Sequence, residues 1–195
     1  GTDNIKESMR NVFYHVGMWF AMMAVLFISV KNSIQYLSKG KIENDHNAEE
    51  AVKVGLFFGV LGILTGMFWA KFTWGAGTPL WSAHGWWAND PNLNGALVSM
   101  LIYFAYMILR SAIEDEDKKA RTAAVYNIFA FVMLVVFIGV LPKISDTGIH
   151  PGKQDSNIAF GGGGMSSQMR MIFWPALMGW MMLGVWITNL KIRIR

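Results

Sequence analysis

Ala51-Val-Lys-Val-Gly-Leu-Phe-Phe-Gly-Val-Leu-Gly-Ile-Leu-Thr-Gly-Met-Phe-Trp-Ala70 is a run of twenty residues carrying a single charge, at Lys53. A helix rises 1.5 Å per residue, so about 20 residues cross the roughly 30 Å of bilayer hydrocarbon. The run therefore reads as a membrane-spanning helix. It leads directly into Trp69-Ala-Lys-Phe-Thr-Trp74 and Trp81-Ser-Ala-His84-Gly-Trp86-Trp87-Ala-Asn-Asp90, so five of the chain's nine tryptophans fall between residues 69 and 87. A second apolar run, Gly95–Leu109, follows. The pattern is span, tryptophan-rich loop, span.

Working outward, Val12–Val30, Thr122–Leu141 and Met171–Leu190 have the same character. The third span is the shortest and reaches Ile113 if Arg110 snorkels to the headgroups. Composition agrees: 53% of residues are hydrophobic, 15% are charged, and mean hydropathy is +0.33. The expected fold is all-α, a polytopic membrane helix bundle with five transmembrane helices in a single domain over residues 1–195. With no cysteine there is no disulfide framework, no thiolate chemistry and no covalent c-type haem attachment. The net charge of +4 does not indicate nucleic-acid binding, because no basic block is interleaved with aromatics.

Cations set the expected orientation. One set of connections carries 11 of them: Lys31, Lys39, Lys41, Lys53, Arg110, Lys118, Lys119, Arg121, Lys191, Arg193 and Arg195. The other carries 6: Lys6, Arg10, Lys71, Lys143, Lys153 and Arg170. The richer side is expected to be cytoplasmic, with the C-terminus there. The tryptophan loop (71–94) and a long loop (142–170) then face outward. The segments near Ser38–Glu50 and Ser111–Arg121 read as short, charged cytoplasmic loops, with His46 a surface residue. The glycine run 161–164 reads as a hinge in the long outer loop.

Three of the four histidines map to the outer side: His15 just inside the first span, His84 in the tryptophan loop and His150 in the long loop. Singly, each is compatible with an ordinary interfacial residue. Together they flank an aromatic loop on one side of the membrane. Imidazole is the commonest axial ligand of haem, iron accepts one on each face, and the porphyrin plate needs aromatic surface. Trp74, Trp81, Trp86 and Trp87 supply such surface. The rival use of these indoles is an interfacial belt. Asp90, directly before Pro91, reads as a cap of the third helix or as a group that orients a donor. No Ser or Cys stands beside a base in a nucleophile elbow, and no HExxH spacing occurs.

Trp86-Trp87-Ala-Asn-Asp90-Pro-Asn-Leu93, preceded by Trp74-Gly75 and Trp81, resembles the WWD domain of the CcmC/CcsA haem-handling proteins of cytochrome c biogenesis, and among them CcmC. Val12-Phe-Tyr-His15-Val resembles the family's first outer-face histidine motif. Phe173-Trp174-Pro175 resembles the start of its last helix, and His150 holds the place of its second outer histidine. The chain departs from the family at Asn89, where a further tryptophan is usual, near Asn92 and Asn94, where a basic residue and a threonine are usual, and at Gly17, where a proline is usual. His84 lies outside the family pattern. The family has six helices, so a sixth is expected before Gly1.

The resemblance implies a non-enzymatic protein of the bacterial inner membrane that binds haem b non-covalently and hands it to a periplasmic haem chaperone (CcmE-like). It implies His15 and His150 as iron ligands, with Trp74, Trp81, Trp86, Trp87 and Asp90 forming the haem-holding loop. It implies partners in an ABC transporter (CcmA/CcmB-like) and a small single-helix subunit (CcmD-like). His84 is left as an ordinary residue, a propionate partner or a swapped ligand. The alternatives are a cytochrome b-like electron-transfer subunit, which would place its histidines within helices, and a solute or lipid transporter, which would carry ionisable or helix-breaking residues at mid-membrane.

Overall fold

The computed structural model describes residues 2–145 and 165–195. Its elements are α1 (Thr2–Lys39), α2 (Ile42–Thr73), α3 (Pro91–Ala112), α4 (Glu116–Leu134), a π-helical turn (Val135–Val140), α5 (Leu141–Ile144) and α6 (Ser167–Ile194). No strand occurs among the described residues. Five helical stretches are long and apolar enough to span a bilayer, with α4, the π turn and α5 forming one of them. Large apolar side chains point outward on every stretch, including Phe27, Phe57, Ile108, Phe129 and Met182. In water such a surface would be a liability; in a bilayer it is the lipid-facing side. The chain is a multi-pass membrane protein.

Helix α1 is the hub and packs against α2, α4 and α6. Lipid tails are as apolar as leucine, so helices in a membrane associate through close packing and hydrogen bonds. The α1–α2 contact shows how the sequence permits this. Gly55, Gly59, Gly62 and Gly66 form one face of α2. A Cβ added to them would lie 2.7 Å from Leu26, 2.9 Å from Met22, 2.9 Å from Trp19 and 2.7 Å from His15, respectively. One series rises as the other falls in matching steps, as antiparallel helices require. The glycines make room for the large side chains of α1, His15 among them.

The helices run further than expected. Only Gly40 and Lys41 separate α1 from α2, with Gly40 at φ +66, and only residues 113–115 separate α3 from α4. The segment 38–50 is therefore mostly the first turns of α2 rather than a loop, and His46 is a half-buried helical residue. Partners distant in sequence explain this. The Arg110 guanidinium donates to both oxygens of Asp45 at 2.7 Å and to Glu49 at 3.1 Å. Arg195 donates to Glu49 at 2.8 Å and to Glu50 at 3.1 Å. Arg110 is 6% exposed, so it does not snorkel outward; it pairs inside the bundle and lies against the Tyr106 ring. The network joins α2, α3 and α6 at the end opposite the tryptophan loop.

The π turn also has a local cause. Pro142 has no N–H to return to the carbonyl four residues back, and its ring would clash there. Widening the ladder by one residue accommodates it, and Leu141 N–H donates to Val136 O. The carbonyl of Phe137 leans on Gly95, where a Cβ would come within clashing distance. The turn thus packs against the first turns of α3, directly after the tryptophan loop.

Candidate functional site

Asp90 starts α3. Its carboxylate accepts the Asn92 backbone N–H at 2.9 Å, and Pro91 fills the first helical position, where a missing N–H costs nothing. Asp90 is fully buried. The tryptophan loop is therefore held between two fixed points, the last turn of α2 and the cap of α3.

Between them the loop folds over the end of the bundle. Trp74 packs edge-on against Trp69, with ring centroids 5.2 Å apart, and Trp86 packs edge-on against Phe68 at 5.3 Å. Trp86 Nε1 donates to Leu80 O at 3.0 Å, and Trp87 Nε1 donates to Asn94 Oδ1 at 3.2 Å. Each of these two indoles has its polar edge bonded and its flat face left to pack.

Beneath the loop lies a cavity of about 480 Å³. It falls within the roughly 300–1,000 Å³ usual for small-molecule sites. Helix α1 contributes Asn11, His15, Val16, Trp19 and Phe20; α2 contributes Gly62, Gly66, Met67 and Trp69; the loop contributes Trp74 and Trp87; α3 contributes Asn92 and Ala96. Ile138 of the π turn, Met165 just before α6, and Met169 and Phe173 in its first turns also line it. Four indoles face one space, and among the described residues no charged side chain lines it. That lining suits a flat apolar ligand whose charged groups stay at the rim.

His15 stands on the α1–α2 wall. Its Nδ1 lies 3.0 Å from Gly62 O and 3.3 Å from Thr65 Oγ1. A carbonyl only accepts, so Nδ1 carries a hydrogen and donates it, and in the neutral form of the ring Nε2 is then the atom able to ligate. A backbone carbonyl fixing one ring nitrogen so that the other can ligate is the usual support of a metal-binding histidine. The ring is held edge-on to Trp19 with centroids 6.3 Å apart, and Gly66 leaves room for its Cε1. Nearby, Asn11 donates to Thr65 O at 3.2 Å.

The structure brings His15, Trp74 and Trp87 to one cavity. Trp86 braces the loop from behind, and Trp81 is 89% exposed. Asp90 caps α3. The His84 side chain is exposed, and the structural use of this residue is its carbonyl, which accepts from Lys71. His150 and the glycine run 161–164 lie outside the described residues. Sequence reasoning did not find Trp19, Trp69, Gly62, Gly66 or Lys71. A usable signal was present: Trp19 is one helical turn from His15, and the α2 glycines repeat at helical spacing.

A family-wide profile described as CcmC, Heme exporter protein C, matches residues 3–195. The chain is 33% identical over 89 residues to Heme exporter protein C of Rhodobacter capsulatus, covering 46% of this chain and 33% of the relative. It is 26% identical over 118 residues to Heme exporter protein C of Paracoccus denitrificans, covering 60% and 45%. It is 29% identical over 120 residues to the cytochrome c biogenesis protein CcsA of Prochlorococcus marinus (strain NATL1A), covering 61% and 34%. The aligned part thus spans less than half the length of each of these relatives. A profile match across nearly all of this chain, with the tryptophan loop and His15 at one cavity, shows that the chain belongs to the CcmC (Heme exporter protein C) family.

Proposed function

We propose that this protein binds haem b non-covalently in the cavity beside His15 and passes it to a CcmE-like periplasmic chaperone for cytochrome c maturation. The observation that carries this reading is the His15 imidazole, held by a backbone carbonyl on the wall of a cavity rich in indole. The names of its relatives, heme exporter and cytochrome c biogenesis protein, point the same way. In this reading His15 and His150 would hold the haem iron and Trp74 and Trp87 would line the porphyrin, while the charged propionates would stay at the rim, since among the described residues no cation lines the cavity. The site opens at the outer leaflet of the inner membrane, and the C-terminus is cytoplasmic. The work is ligand handover rather than catalysis, beside CcmA/CcmB-like transporter subunits and a CcmD-like single-helix subunit.

A transfer assay tests it. The purified chain is loaded with haem and mixed with apo-chaperone, and transfer is followed by absorption. Replacing Trp86 and Trp87 together with Ala should leave protein levels near normal and reduce transfer by about tenfold or more, since each indole supplies about 150–250 Å² of contact area. Wild-type transfer by that variant would return the loop to the role of an interfacial belt.

A further inference from the structure

Lys71 sits in the last turn of α2, next to the tryptophan loop, and is 2% exposed. Its ammonium donates to Thr78 Oγ1 at 2.9 Å, to Ser82 O at 2.9 Å and to His84 O at 2.7 Å. An ammonium has three N–H donors, and all three are engaged. Among the described residues no carboxylate forms an ion pair with it. Burying a cation is costly unless its hydration is replaced, and here three oxygens of the loop replace it. With every donor engaged, the group is built to hold the loop rather than to receive an anionic ligand.

The backbone is shaped around the same point. Gly85 has φ +88, and a Cβ on it would clash with Gly75 Cα. A Cβ on Gly75 would lie 2.7 Å from Lys71 O and 2.9 Å from His84 O. The two arms of the loop therefore cross in contact over the end of α2. This crossing brings the carbonyls of Ser82 and His84 within reach of one ammonium. The arms carry the cavity's two loop indoles, Trp74 three residues beyond Lys71 and Trp87 three residues beyond His84.

We propose that Lys71 is a positioning residue: its caged ammonium clamps the arms of the tryptophan loop together, so that Trp74 and Trp87 close the cavity. The consequence for ligand retention rests on the haem reading above, whereas the clamp itself does not.

The test uses the full chain in lipid nanodiscs. Hydrogen exchange is measured on the apoprotein for the wild type, Lys71→Met and Lys71→Arg. The loop has its own amide bonds to report on, from Thr78 to Gly75 O, Ser82 to Pro79 O and Trp86 to Ala83 O. Lys71→Met should speed exchange over residues 75–88 by about tenfold or more, as expected when bonds to a charged group are lost, while α2 and α3 keep their protection. Lys71→Arg should restore part of the protection. Haem loss to an excess of scavenger protein should quicken by a similar factor in Lys71→Met with the absorption spectrum unchanged, because His15 is untouched. Wild-type loop exchange in Lys71→Met overturns the clamp, and loosened loops with unaltered haem loss overturn its role in closing the cavity. If the wild type takes up no haem yet the loop loosens in Lys71→Met, the haem reading fails and the clamp stands. If Lys71→Met unfolds the helices, Thr78→Val removes one of the ammonium's acceptors together with the hydroxyl's own bond to Gly75 O; it should loosen residues 75–88 alone, and wild-type exchange there overturns the proposal.

Discussion

At residue scale the site depends on backbone atoms as much as on side chains. Asp90, before Pro-Asn, read either as a cap of the third helix or as a group that orients a donor, and its carboxylate does accept the Asn92 N–H. Replacing Asp90 with Ala should destabilise the protein by about 1 kcal/mol, the usual worth of such a cap. Thermal unfolding in detergent would show it, and an unshifted transition would contradict the capping role. His84 and Lys71 were not legible in the same way. The sequence displays an imidazole at position 84, whereas the fold uses that residue's carbonyl. Lys71 reads as one more cation at a span end until the chain crosses over it. What a lysine donates to depends on a loop path that no local pattern encodes.

At the scale of elements, the five spans were readable because a continuous apolar run of that length has few alternatives. Their ends were not. The expected second span began at Ala51, yet α2 begins at Ile42, because Asp45, Glu49 and Glu50 find partners in Arg110, Lys53 and Arg195. Breaking such a pair leaves a buried charge poorly compensated, so Asp45→Ala should cost about 3 kcal/mol, the low end for a broken buried pair, because Arg110 keeps only Glu49 at 3.1 Å. A change of less than about 1 kcal/mol in denaturant unfolding would mean that water already screens the pair. The glycine face of α2 makes a second prediction. Gly66→Ala would place a methyl 2.7 Å from His15 Cε1 and push the imidazole off its wall. Haem affinity should fall by about tenfold or more, a penalty of about 1.4 kcal/mol, while the helices persist. Wild-type affinity in a spectral titration would mean that the ring moves without consequence.

At the scale of the whole molecule the two ends of the bundle differ in chemistry. One holds an aromatic cavity under the tryptophan loop, and the other a network of buried ion pairs joining α2, α3 and α6. The ion-paired end holds most of the cations, from which the proposed orientation follows. Single cysteines at Ser82 and Ser111 should label from opposite sides, with position 82 accessible from the periplasm. Cytoplasmic labelling of position 82 would invert the topology and remove delivery to a periplasmic partner. The central claim, that His15 ligates haem in this cavity, is tested most directly by one absorption measurement. Purified wild type and His15→Ala are compared in oxidised and reduced states, with circular dichroism confirming the fold. The wild type should give a b-type spectrum, and the variant should lose it or shift it. An unchanged spectrum from folded His15→Ala would contradict the assignment.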